Sequence, residues 1–536
     1  PWTRRTRPRG SWSFGGAVEK AGARVLLAAL TALALISGCG DHSGASRPMT
    51  GPAHSSSSAS STSPAAVVSP SPPLTAARPT GALRNPPEVV SRNGFLNTRI
   101  VVERKRVELA GKKLWALTYN GRYMPPTLRI KPGDRVKLAM VNKIDQMTNL
   151  HVHGLHVSPS GHSDNIFLMI EPGETYHYSY QFPRNLAAGT YWYHPHPHTL
   201  SAPQTAGGMS GIIIVDGLKR YLPKALRNIT ERVVALKDFQ RVGDQIKTAD
   251  LSIGAPTTRV VNGQLNPAIH IRPGETQLWR IANIGANIFY KVVLPGHRFR
   301  VIARDGNPVT KTYSVDTIII PAAARYDVLV EGGPPGTTEL KTLPYNTGPA
   351  GNQFPEATLA TLISRGEART PVKPPAAFAP ARDLAKAKLA ARRTITYTEN
   401  AAGTEYYING KQFDPNRIDF TGQLNTVQEW TVQNNSDEVH SFHVHTNDFQ
   451  LMSTNGKPQT FYGYQDTVDV PARGNIVVRT AFENYTGKTV LHCHILNHED
   501  KGMMSVLELV DGPPGNGTGT GTGTGRDPAA PGVKKD

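Results

Sequence analysis

Three Asn-Gly pairs constrain this chain more than any other feature. Asn120-Gly121, Asn262-Gly263 and Asn409-Gly410 lie 142 and 147 residues apart, and similar sequence follows each. The first leads through Pro126 and Arg129-Ile130-Lys131-Pro132-Gly133-Asp134 to a segment ending Val141-Asn142. The second leads through Pro267 and Ile271-Arg272-Pro273-Gly274-Glu275 to Ala282-Asn283. The third leads through Pro415 to Trp430-Thr431-Val432-Gln433-Asn434, with the Pro-Gly-acid element eroded. Asn-Gly suits the tight turn of a hairpin, and a repeat this long is a whole domain. Within a repeat, Tyr176-His177-Tyr178-Ser179-Tyr180-Gln181-Phe182 alternates large apolar with polar residues, the period of a half-buried strand. The expected fold is all-β, with three tandem sandwich or barrel domains over residues 91–217, 218–376 and 377–512. The Ala- and Lys-rich linker at 376–393 predicts a helical stretch.

Both ends fall outside that frame. Arg4, Arg5, Arg7, Arg9 and Arg24 precede an apolar run at 25–36, which has signal-peptide length and is too short to span a bilayer. The run ends in Ile36-Ser37-Gly38-Cys39, which resembles the lipobox of bacterial lipoproteins, so an exported protein anchored through a lipidated Cys39 is expected. Arg4-Arg5 lies far from the run and gives a twin-arginine export signal little support. Residues 40–90 are rich in Ser, Pro and Ala and read as a tether, and the Gly-Thr repeats after residue 512 read as a flexible tail. Net charge is +18, part of it in these end segments and the remainder spread out. Without a basic run or interleaved aromatics, nucleic-acid binding is not expected.

Histidine spacing carries the chemistry. Eighteen histidines scattered at random over 536 positions would give roughly 0.6 His-x-His pairs, a spacing that matters because residues i and i+2 of a strand face the same way. Five pairs occur: His151/His153, His194/His196, His196/His198, His443/His445 and His492/His494. On strands, each pair presents two imidazoles to one point, and two pairs from the first repeat with two from the third can supply eight ligands at one seam. Imidazole alone does not name the metal.

Cysteine does. Only Cys39 and Cys493 exist, so no internal disulfide is expected in the mature core. Cys493 lies between His492 and His494, so strand parity turns its sulfur to the opposite face, towards a second site. His440 precedes His443 by an odd separation and shares that opposite face if its strand is continuous. His498 and Met503 follow, completing a His₂Cys set with a weak thioether, the pattern of a blue-copper site.

In these motifs the chain resembles the multicopper oxidases, which include laccases and bacterial copper-tolerance oxidases. The matching residues are His151-Val152-His153-Gly154, Trp192-Tyr193-His194-Pro195-His196, His440-Ser441-Phe442-His443-Val444-His445 and the stretch from His492 to Met503. The resemblance spans about residues 95–512 and implies three cupredoxin domains and four coppers. It implies type 1 ligands at His440, Cys493, His498 and Met503, and type 2 ligands at His151 and His443. The type 3 pair would take His153, His194, His196, His445, His492 and His494. Glu499 and Asp164 resemble the family's proton-handling acids. The implied reaction passes single electrons from a reductant near His498, through Cys493, to dioxygen.

His198 extends the pattern beyond what the family requires, so a surface or supporting role is expected, and Met504 is expected to pack in the core. The second repeat has no His-x-His pair and should position the outer domains and shape the substrate entrance. A copper nitrite reductase lacks the eight-histidine set, and a structural cupredoxin protein lacks ligands altogether. Nine methionines without a Met-rich insertion favour a phenol or aromatic amine as reductant, with cuprous ion as the alternative.

Overall fold

The computed structural model describes residues 78–512 apart from Asp250. The expected signal segment, lipobox, Gly-Thr tail and most of the tether lie outside the described residues. Strands dominate, and each repeat contributes two main sheets.

The Asn-Gly anchors are the turns they were read to be. Asn120 sits at φ 54° and Asn262 and Asn409 at φ 52°, in the left-handed region that asparagine tolerates. Each side-chain oxygen accepts a hydrogen bond from a neighbouring strand: from Val101 N–H at 2.7 Å, Ala235 N–H at 2.9 Å and Thr396 N–H at 2.7 Å. A second asparagine repeats at the ends of Arg135–Asn142, Thr276–Asn283 and Thr426–Asn434. All three are fully buried, and each amide bridges carbonyls: Gln146 and Ile170 for Asn142, Ile288 and Ile320 for Asn283, and Glu438, Val470 and Pro471 for Asn434. The sequence had marked these residues only as strand ends.

The first and third repeats place their histidine strands alike. In the first, His151–His153 pairs antiparallel with Gly189–His194, setting His151 opposite His194. In the third, His440–Val444 pairs with Gly487–Cys493, setting His443 opposite His492 and Phe442 opposite Cys493. The second and third repeats share one apolar core that runs from Trp279 and Val328 to Trp430, Cys493 and Met503. The first has its own, around Tyr119, Met140 and Tyr178.

Two expectations are corrected. The tether was drawn to residue 90, but its end is built into the fold. Leu83 is buried in the core, Asn85 bonds Val233 N–H and Glu231 O, and Glu88–Val90 pairs parallel with Thr127–Ile130. Large apolar residues return there and the backbone finds partners. The linker at 376–393 is extended with one short turn at Leu384–Lys386, followed by the strand Leu389–Glu399. Helix propensity yields because Leu384 is buried, Gln450 takes its N–H, and Arg479 takes the carbonyls of Leu384 and Ala385.

Candidate metal centre

The strand His440–Val444 is continuous, so His440 and His443 face opposite ways, as parity requires. Cys493 ends its strand, and the chain turns at once into the short helix Leu496–Asp500, which carries His498 back towards the sulfur. Cys493 Sγ lies 3.6 Å from His440 Nδ1 and 4.0 Å from His498 Nδ1, and the two nitrogens are 3.3 Å apart. Met503 is fully buried in the same cluster; its N–H donates to His498 O and its carbonyl accepts from Cys493 N–H, both at 3.0 Å. Met504 faces the other way, against Ile166 and Val490.

The far edges of these imidazoles are held from outside. Ser436 Oγ is 2.8 Å from His440 Nε2, and Tyr406 stacks on the His498 ring at 4.0 Å. Glu438 Oε1 lies 3.4 Å from His498 Nε2 and shares a hydrogen bond with Glu399. Burial and the Glu399 carboxyl push Glu438 up to about 9. A loop of the second repeat lies against the segment that carries Glu438, with Thr347 O accepting from Val439 N–H at 2.6 Å.

On the opposite side of these strands, His443, His445, His492 and His494 meet His151, His153, His194 and His196 of the first repeat in one cage, each no more than 1% exposed. His151 stacks on His445 at 4.0 Å and His153 on His443 at 3.9 Å, so the cage closes across the first and third repeats. His492 Nε2 is 3.3 Å from His196 Nε2 and 3.1 Å from His445 Nε2.

The nitrogens of the cage divide into held and free. His151 Nδ1 faces Asp164, His153 Nε2 faces Asp466, His194 Nδ1 bonds Pro195 O and His443 Nδ1 bonds Asp466 O. The other nitrogen of each ring, and both of His494, is buried without a partner. Burial, reinforced by neighbouring rings, lowers His151, His153, His443, His445 and His494, and takes His194 to about 3 and His196, next to Glu499, to about 4, so these seven are neutral donors. A buried polar atom without a partner costs about 1–3 kcal/mol. Several in one cage fit a bound cation, and the Cys493 thiol, pushed up by burial, needs one to ionise.

The predicted acids are both against the cage. Asp164 Oδ2 is 2.9 Å from His151 Nδ1, and burial pushes this carboxyl up to about 8 against a hydrogen bond from Val152 N–H. Glu499 is fully buried, 3.0 Å from His492 Nδ1 and 3.5 Å from His196 Nδ1. His198 is half-buried and edge-on to Phe413 at 4.8 Å, beside a cavity of about 570 Å³ that Phe167, Met504 and His196 also line. Sequence reading missed Asp466 and Glu438. Neither belongs to a His-x-His or Cys motif, and their importance lies in contacts that only folding makes.

Profiles described as multicopper oxidase match residues 101–220, 230–337 and 384–512. The chain belongs to the multicopper oxidase family, whose members are copper oxidoreductases, and copper is the metal this membership implies. Among its relatives, a multicopper oxidase of Staphylococcus aureus is 27% identical over 430 residues, covering 78% of this chain and 89% of that protein. The solved multicopper oxidase of Campylobacter jejuni, described as a metallo-oxidase, is 26% identical with a TM-score of 0.71, covering 81% of this chain and 96% of that one. The laccase-like enzyme of an Ochrobactrum species is 26% identical with a TM-score of 0.69, covering 80% and 100%. These neighbours carry cupredoxin-like domains, the fold that the resemblance implied.

Proposed function

We propose that this chain couples one-electron oxidation of a small reductant to the four-electron reduction of dioxygen to two waters, with four coppers resident. Cys493 carries this reading: its Sγ belongs to the His440/His498 group, while its chain neighbours His492 and His494 belong to the cage. One covalent stretch therefore joins the two groups. Copper bound there would supply one-electron redox chemistry at the first group and oxygen reduction at the second. His440, Cys493, His498 and Met503 are assigned to type 1, His151 and His443 to type 2, and the other six cage histidines to type 3. In this reading Asp164 and Glu499, buried against His151 and His492, hand protons to the cage. The cavity beside His196 offers dioxygen an approach lined by Ile166, Phe167 and Met504.

For the reductant, a phenol or aromatic amine is the first reading. The chain has nine methionines and no Met-rich insertion, and the Ochrobactrum relative is described as acting on lignin model compounds. One observation favours cuprous ion instead: the Glu399/Glu438 carboxyl pair lies at the outer edge of His498. A copper resistance protein of Pseudomonas syringae is also 29% identical over 282 residues. Oxygen uptake with a phenol and with buffered Cu(I), on protein of measured copper content, separates the readings. Faster phenol turnover that survives Glu438→Gln supports the first. Faster Cu(I) turnover that falls roughly tenfold in that variant, about 1.4 kcal/mol of lost binding, supports the second. Protein that takes up no copper under reconstitution would sink both and leave a non-enzymatic cupredoxin protein.

A further inference from the structure

Arg325 opens the strand Arg325–Glu331 of the second repeat, which contributes no histidine to the cage, yet its guanidinium ends beside it. The side chain is fully buried. Nη1 and Nη2 donate to Asp466 Oδ1 and Oδ2, each at 2.7 Å, the parallel fork that arginine makes and lysine cannot. Nε donates to Thr190 O in the first repeat at 3.1 Å. Asp305 Oδ1 accepts the Arg325 backbone N–H at 2.8 Å and lies 3.6 Å from Nη1, which fixes the base of the side chain. One residue thus ties three repeats together at one point.

The other side of Asp466 meets the cage. Oδ1 lies 3.2 Å from His153 Nε2 and accepts from Thr467 Oγ1 at 2.7 Å, while its main-chain oxygen is 2.8 Å from His443 Nδ1. His153 and His443 come from different repeats and stack on each other. An acceptor at one ring nitrogen holds the proton there and leaves the lone pair on the other, here His153 Nδ1 and His443 Nε2, the two nitrogens without partners. Gly154 marks how closely the parts meet. At φ +81°, a Cβ there would lie 2.3 Å from Asp466 Oδ2 and 2.4 Å from Arg325 Nη2.

We infer that Arg325 and Asp466 are positioning residues for the metal cage: the guanidinium aims the carboxylate, and Asp466 sets the tautomer and orientation of both His153 and His443. The second repeat is then part of the cage's support as well as a spacer. This rests on the copper reading above.

Arg325→Lys keeps the charge and loses the fork; Asp466→Asn keeps the shape and loses the charge. Each would be compared with wild type as the copper-loaded chain, by copper content, blue absorption, thermal midpoint, the electron paramagnetic resonance signal of type 2 copper, and reoxidation of the fully reduced protein by dioxygen. The expected result is selective. The blue band, the thermal midpoint and anaerobic reduction by substrate stay near wild type. The type 2 signal changes or cage copper is lost, and reoxidation slows by about 10–100-fold, the usual effect of losing a partner behind a metal-bound histidine. A variant with an intact blue band whose type 2 signal, copper content and reoxidation match wild type would overturn the inference. So would loss of the blue band together with the fold in both variants, because the pair would then be a structural staple. A wild-type protein without copper or a blue band would instead sink the copper reading itself.

Discussion

Cys493 is a buried thiol whose two neighbours in the chain face away from it, and much of the site's logic follows from that placement. Cys493→Ser removes the thiolate from one group and leaves the eight imidazoles of the other untouched. The expected outcome is loss of the blue band and of substrate oxidation with most cage copper retained, read by absorption and metal analysis. A blue band persisting in the purified variant would show that the sulfur belongs elsewhere. The two adjacent methionines allow a finer test, because Met503 shares the core cluster of Cys493 while Met504 packs with Ile166 and Val490. Met503→Leu keeps a similar volume but removes a weak donor, which stabilises oxidised copper more than reduced, so the potential should rise. Met504→Leu should leave it nearly unchanged. Redox titration of the blue band decides, and a shift confined to the Met504 variant would move the axial role by one residue.

Strands and turns position these groups through repeated small devices. The buried amide of Asn283 holds the Ile288 and Ile320 carbonyls, and its oxygen accepts the Gly285 N–H. Asn283→Ala strands all three and should cost roughly 2–4 kcal/mol, read as a lower urea midpoint in tryptophan fluorescence. An unchanged midpoint would mean that water replaces the amide and that the repeated asparagines are not structural. Asn120→Gly is the comparison. Glycine accepts the same left-handed turn, so the loss should be limited to two exposed hydrogen bonds, with Val101 N–H and Arg99 O, about 1–2 kcal/mol. Strand parity and Asn-Gly turns were legible because both depend on nearest neighbours in the chain. The linker at 376–393 was misread because its conformation is decided by Gln450 and Arg479, residues far away in sequence.

At the scale of the whole molecule, the cage closes the seam between the first and third repeats, so bound metal should hold the chain together. Copper that binds the folded chain about 1,000-fold above its dissociation constant adds about 4 kcal/mol, and removing it should lower the thermal midpoint by about 5 °C. Calorimetry before and after chelation measures this, and equal midpoints would show that the seam is stable without metal. The sequence by itself determined the three-fold repeat, the all-β class, which histidines share a face, and the opposition of Cys493 to its neighbours. These follow from period and turn chemistry, which act locally. Only the tertiary structure decided that the end of the tether joins a sheet, that Glu438 lies at the edge of His498 with a second-repeat loop bonded to its neighbour Val439, and that Arg325 reaches through Asp466 to His153 and His443. Those contacts join residues separated by up to a few hundred positions. Their partners are chosen by packing and buried charge, for which a linear sequence carries no local signal.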